Sequence, residues 1–182
     1  MDTQQAWTLL EQSDLVYGEE EVQAAVTDLA QRITAVLADK NPLVLAVMGG
    51  SIVFAGWLLP RLRFPLEFDY IHASRYGGEL SGGQVHWRVQ PPESVRGRPV
   101  LVLDDILDGG HTLANIRARI LEQGATEFLC AVLTDKDTGV AKPIRADFVG
   151  LTLPNRYVFG CGMDCRGAWR NLPSIRALKE GA

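Results

Sequence analysis

Val100–Leu103 (VLVL) is apolar at four successive positions and runs directly into the acidic, glycine-containing stretch from Asp104 to Thr112 (DDILDGGHT). A strand apolar on both alternating faces has to be covered on both sides, and a parallel sheet flanked by helices does this. Leu43–Val47 (LVLAV) has the same character and is followed by Gly49-Gly50-Ser51. Each strand therefore ends in a glycine turn before a helical segment. Repeated strand, turn and helix make the fold class α/β, a parallel sheet with helices on both faces. Ligands of such sheets sit beyond the carboxyl ends of the strands, which is where both glycine turns fall.

The rest of the chain fits this frame. Val22, Val26, Leu29, Ile33, Val36 and Leu37 recur at helical spacing, which predicts a helix over Glu19–Asp39 that Asn41-Pro42 stops. Ile52–Leu59 reads as a helix ended by Pro60, and Leu66–Ala73 as a strand. Gly77-Gly78 and Ser81-Gly82-Gly83 predict a mobile loop, with Val85–Val89 as the returning strand. Asp104–His111 is expected to be loop and Thr112–Gln123 helix, with Gly124 at its end. Phe128–Leu133 and Asp147–Leu151 supply two more strands.

Composition excludes several classes. An apolar fraction of 47% against 22% charged residues is that of a folded globular chain, and 182 residues suit one domain. A net charge of −4 gives no general attraction to nucleic acid or an anionic membrane. Met1–Gln5 has neither the basic start nor the apolar run of a secretory signal, and no 18-residue apolar stretch exists. Cys130, Cys161 and Cys165 form no disulfide framework, and no histidine stands at ligand spacing to them. Three reduced thiols and a cytoplasmic location are expected.

The loop carries the chemistry. Consecutive amides over Asp108–Thr112, at a helix start, can converge on an anion, and glycines let the main chain come close. Neither the nucleotide-triphosphate P-loop nor the dinucleotide glycine pattern is present. Asp104, Asp105 and Asp108 would repel a bare phosphate. They suit a ligand that also offers hydroxyls, a metal ion or a removable proton, and a sugar phosphate with Mg²⁺ offers all three.

VLVLDDILDGGHT resembles the thirteen-residue signature of type I phosphoribosyltransferases, and D-D-I-L-D resembles the hypoxanthine-guanine branch. Further segments resemble that branch in order: Asp14–Tyr17, Met48–Ser51 as a pyrophosphate loop, Ser74-Arg75-Tyr76 as a catalytic lid, Asp147–Gly150 with Pro154–Asp164 as a purine-binding end, and Arg170–Pro173. The resemblance implies a core of about residues 20–152 and a small hood from about residues 1–18 and 153–182. It implies transfer of the 5-phosphoribosyl group from phosphoribosyl pyrophosphate (PRPP) to N9 of hypoxanthine or guanine, with Mg²⁺, in a homodimer or homotetramer.

It also implies roles. Asp104 and Asp105 would hold the ribose hydroxyls and the metal, Asp108 would take a proton from purine N7, and Asp108, Gly109, Gly110, His111 and Thr112 would hold the 5′-phosphate. Gly49 and Gly50 would meet pyrophosphate, with Arg170 as a charged clamp. Arg75 and Tyr76 would sit on a water-excluding lid. Asp164 would meet a second Mg²⁺ through water, Tyr157 would stack on the purine, the Val158 backbone would meet its edge, and Arg145 would donate to O6.

The chain departs from the family pattern at several positions. Met48 and His111 stand where lysines are frequent, and Arg145 is read as replacing a purine-contacting lysine. Arg75 replaces a serine, and Cys161 and Cys165 replace tyrosines. The family's non-proline cis peptide is expected at Val47–Met48. A xanthine- or adenine-preferring enzyme on the same fold, or a non-catalytic nucleotide-sensing regulator that binds RNA, would be the alternatives. The regulator would need a basic face, and no run of Lys or Arg is present.

Overall fold

A computed structural model describes residues 1–75 and 85–179, with the side chains of Ser74 and Arg75 excepted. The Arg75 side chain, Tyr76 and the glycine-rich loop after it therefore lie outside the described residues. In chain order the elements are α1 (Thr3–Glu11), β1 (Ser13–Tyr17), α2 (Glu19–Leu37), β2 (Leu43–Val47), α3 (Ile52–Leu58), β3 (Glu67–Arg75), β4 (Val85–Val89), β5 (Pro99–Leu107), α4 (His111–Glu122), β6 (Glu127–Lys136), β7 (Phe148–Leu153), β8 (Val158–Phe159) and β9 (Ile175–Leu178).

The main sheet has the order β4-β3-β2-β5-β6-β7, parallel throughout except for the β3–β4 pair at one edge. Its two faces pack separately. Val44, Ala46, Leu101, Leu103, Ala131 and Leu133 turn toward α2 and α3. Leu43, Leu45, Val100, Val102, Cys130 and Val132 turn toward Leu113, Ile116 and Ile120 of α4. The double-sided burial inferred from LVLAV and VLVL is thus met, and each fully buried leucine or isoleucine contributes about 1.5–3 kcal/mol. Three glutamates occupy the first turn of α2, where carboxylates oppose the helix dipole, and Glu21 accepts the Gly18 amide at 2.8 Å.

β3 and β7 each end two residues past the expected ends, at Arg75 and Leu153, and β5 and β6 run furthest beyond their apolar patterns. β5 pairs with β6 through Asp104↔Val132, Ile106↔Thr134 and Leu107↔Asp135. Asp104 and Asp105 therefore lie on a strand, not in the loop expected over Asp104–His111. The loop shrinks to Asp108–Gly110, and α4 begins at His111. β6 continues past Leu133 to Lys136. In both cases the ladder outlasts the hydrophobic run, because residues at a strand's carboxyl end need not face the core.

Segments from both ends of the chain form a second sheet, β1-β9-β8, antiparallel throughout. Arg156 ties it together, donating to Asp14 Oδ2 at 2.5 Å and to the Leu178 carbonyl at 2.7 Å. Arg176 does the same toward the Ser13 hydroxyl (2.6 Å) and carbonyl (3.0 Å). The helix α1 was not foreseen from apolar periodicity, and none of its residues is buried. Its signal was instead a capping box: Asp2 accepts the Gln5 amide at 2.8 Å and Gln5 accepts the Asp2 amide at 2.9 Å.

Candidate active site

A cavity of about 350 Å³ opens where β2 and β5 end. Its walls include Met48, Gly50, Asp104, Asp105, the whole run Asp108–Thr112, and Arg170. Gly49 adjoins it through a cis peptide bond to Met48. The expected position, Val47–Met48, is off by one residue. The Met48 amide still donates to the Ile71 carbonyl at 2.8 Å and so continues the strand ladder, which leaves the next peptide to make the turn.

Asp104 and Asp105 sit side by side, and the Asp105 amide donates to Asp104 Oδ1 at 3.0 Å. Burial pushes the Asp104 carboxyl well above the usual range, and the neighbouring Asp105 charge adds to this. Burial also raises Asp105, against hydrogen bonds from Asp104 and the Ile106 amide and the positive field of Arg170. The buried Thr134 hydroxyl donates to the Asp105 carbonyl at 2.8 Å and fixes the strand beneath the pair.

Close packing adds to the placement. A Cβ on Gly50 would fall 1.9 Å from Asp105 Oδ2, and one on Gly162 would fall 1.8 Å from the Gly50 carbonyl oxygen. Any side chain at either position would push the layers apart. The turn around Gly162 therefore presses on the Met48–Ser51 turn, which presses on Asp105. Arg170 spans the same junction, donating to the Gly162 carbonyl at 2.6 Å and pairing with Asp164 Oδ1 at 2.5 Å.

At the loop itself, Gly110 has φ of 78° and serves as the N-cap of α4. Glycine offers no side-chain oxygen to the first-turn amides, so those donors and the positive helix end stay open to an anion in the cavity. Thr112 is half-buried on the first turn and His111 is exposed. Asp108 is also exposed, and its Oδ2 lies 3.0 Å from Lys136 Nζ, a lysine whose side chain is only 12% exposed. Behind them Lys142 donates to the Leu107 carbonyl (2.7 Å), the Lys136 carbonyl (2.6 Å) and Asp135 Oδ1 (2.5 Å). Those three bonds use all of its donors and join the ends of β5 and β6.

Lys136 was missed from sequence because β6 was expected to stop at Leu133. A cation does stand beside Asp108, but it is Lys136 and not Arg145. Arg145 is exposed and lines a neighbouring cavity of about 480 Å³, together with Leu107, Lys136 and Thr152. Tyr157 is half-exposed, and its hydroxyl reaches the Asp164 carbonyl at 3.3 Å. Val158 is buried in β8. Asp164 joins the site through Arg170, and its second oxygen accepts the Gly167 amide at 2.7 Å. Arg145, Tyr157, Val158 and Asp164 are therefore not among the residues that line the loop cavity.

The cysteines take no part. Burial pushes Cys130 and Cys161 up to about 12 and raises Cys165, so all three stay protonated. Among the described residues no three His, Cys, Asp or Glu side chains come close enough to hold a metal ion. No helix among them is long and apolar enough to cross a membrane.

Comparison with known proteins gives this geometry a family. The phosphoribosyl transferase domain family matches residues 15–166. The chain belongs to the phosphoribosyltransferase family. Among similar phosphoribosyltransferases is the hypoxanthine-guanine enzyme of Streptococcus pneumoniae, 36% identical over 162 residues, which cover 88% of this chain and 90% of that one. The hypoxanthine-guanine-xanthine enzyme of Tritrichomonas foetus is 35% identical over 167 residues, 91% of each chain. A solved hypoxanthine-guanine phosphoribosyltransferase from Bacillus anthracis superposes with a TM-score of 0.86 at 30% identity, covering 91% of this chain and 98% of that one. The fold is therefore that of type I phosphoribosyltransferases, and the reaction is phosphoribosyl transfer in purine salvage.

Proposed function

We propose that the chain transfers the 5-phosphoribosyl group of PRPP to N9 of hypoxanthine or guanine, forming the nucleoside monophosphate and pyrophosphate. The observation that carries the choice of base is the Asp108–Lys136 pair. It sets an acceptor and a permanent donor 3.0 Å apart at the mouth of the phosphate loop. A 6-oxopurine offers the complementary edge, with a proton at N7 beside the O6 acceptor. Adenine turns an amino group toward the lysine and leaves that donor unmatched, the kind of mismatch that discriminates strongly in a closed site.

The lining of the cavity supports the remaining roles. The amides of Asp108–His111 and the Thr112 hydroxyl receive the 5′-phosphate. Asp104 and Asp105 accept from the ribose hydroxyls. Gly50 and Arg170 meet the pyrophosphate, whose departure from the anomeric carbon leaves an oxocarbenium-like centre. Asp108 accepts the N7 proton as N9 bonds to that carbon. Tyr157 and Val158 border the purine side.

The donor set fits Mg²⁺ that arrives with the sugar phosphate. Two adjacent carboxylates are too few for a protein-only cage but match this ion's habit of binding through one or two carboxylates plus substrate oxygens. Asp104 and Asp105 would hold it, and Asp164, already bonded to Arg170 and Gly167, would reach a second ion only through water. When bound, the ion neutralises charge on the leaving pyrophosphate.

Purified protein incubated with PRPP and Mg²⁺ is offered hypoxanthine, guanine, xanthine, adenine and uracil in turn. Nucleotide should form from hypoxanthine and guanine, with adenine and uracil slower by about a hundredfold or more. Comparable turnover of adenine, or preference for xanthine over both, would overturn the assignment of base.

A further inference from the structure

The helix α1 precedes residue 15, where the family match begins, and the segment carrying Arg170 follows residue 166, where it ends. These two unmatched pieces are bound to each other. Trp169 Nε1 donates to the Ala6 carbonyl at 3.0 Å. The Trp7 and Trp169 rings meet edge to face, with centroids 5.0 Å apart and planes at 68°. A cavity of about 530 Å³ lies between the helix and residues 166–171, and Arg170 lines both this cavity and the one at the phosphate loop.

Trp169 has φ of 72°, a left-handed conformation that is unfavourable for a bulky side chain and persists only when neighbours over-determine it. Ala6 and Trp7 contact it, and the Trp169 carbonyl accepts the Leu172 amide at 3.3 Å. Trp169 also immediately precedes Arg170, whose carbonyl accepts the Gly162 amide at 2.8 Å and whose guanidinium grips Gly162 and Asp164. Since α1 buries none of its own residues, its packing adds little to the core. Its Ala6 and Trp7 instead contact the residue beside the arginine.

We propose that α1 is a positioning element for Arg170: through Trp7 and Trp169 it holds the arginine at the pyrophosphate side of the site and so sets the affinity for PRPP. This rests on the reading of Arg170 as a pyrophosphate contact. Trp7 acts through Trp169 and touches no substrate. At 52% exposure it can be truncated without opening the core.

Steady-state kinetics on Trp7→Ala, Trp7→Phe, Arg170→Met and the Trp7→Ala/Arg170→Met double variant test the proposal. Trp7→Ala should raise the KM for PRPP about fivefold, within what one aromatic edge contact carries. The KM for hypoxanthine and kcat should stay within about twofold, and Trp7→Phe should restore the wild-type value. Arg170→Met should raise the PRPP KM about tenfold or more, and in that background Trp7→Ala should add nothing. An unchanged PRPP KM in Trp7→Ala, or a parallel rise in the hypoxanthine KM, overturns the proposal while Arg170 keeps its role. An unchanged PRPP KM in Arg170→Met removes the arginine from the pyrophosphate site and the proposal with it.

Discussion

Asp104 and Asp105 are held in a state that the fold alone does not favour. Burial raises both carboxyls, Asp104 further because it also faces Asp105. A carboxyl whose pKa is raised on folding binds its proton more tightly in the folded state. Its contribution to stability is therefore full below the ordinary aspartate value of 3.8 and is lost as pH rises through the folded-state value. The unligated protein should lose stability from about pH 4 upward on this account. Asp104→Asn removes the charge and keeps an oxygen to accept the Asp105 amide. It should raise the Tm at pH 8 by about 2–4 °C, the shift that about 1 kcal/mol produces in a domain of this size, and less at pH 4. The same variant should use PRPP poorly, the familiar exchange of stability for function. Thermal unfolding at the two pH values checks this; an Asp104→Asn variant that melts lower at pH 8 would count against it.

At the scale of elements, the site is made where β5 hands the chain to α4. Asp108, Gly109 and Gly110 are all that separate the end of the ladder from the helix, so the first-turn amides and the strand-borne carboxylates face one cavity. Lys142 holds the ends of β5 and β6 together from behind. Thr112→Val keeps the size and apolar contacts of this first turn and deletes one hydroxyl donor. It should raise the KM for PRPP about tenfold with kcat nearly unchanged, as loss of a hydrogen bond to a charged phosphate would. An unaltered PRPP requirement would take the 5′-phosphate away from this loop. Pattern and ladder diverge at these elements. β2 and β4 have the bounds read from sequence, because their apolar or alternating runs coincide with their pairing. β5 and β6 outrun their patterns by charged residues, Asp104 and Asp105 on one and Lys136 on the other. Those side chains are charged and stand at the cavities beyond the sheet edge, so hydrophobicity says nothing about the strand beneath them. Thus Arg145 was read from sequence as the purine donor, while the structure sets Lys136 beside Asp108.

The whole molecule joins a parallel core sheet to a small sheet built from both ends of the chain. The core was legible because burial on both faces leaves continuous apolar runs. The second sheet was not legible from local pattern, since β8 is two residues long and β1 pairs with β9 across more than 150 residues. Contacts of that range leave no periodic trace. The junction of the two sheets, Gly162 on Gly50 and Gly50 on Asp105, was likewise hidden, although glycines at both positions were plain in the sequence. In the proposed function this assembly presents Asp108 to purine N7 while the loop beside it holds PRPP. The decisive variant is Asp108→Asn, with nucleotide formation from hypoxanthine measured alongside the KM for PRPP. Turnover should fall about a hundredfold or more with the PRPP KM within about twofold of the wild type. Unchanged turnover would remove Asp108 from its place as the base at N7.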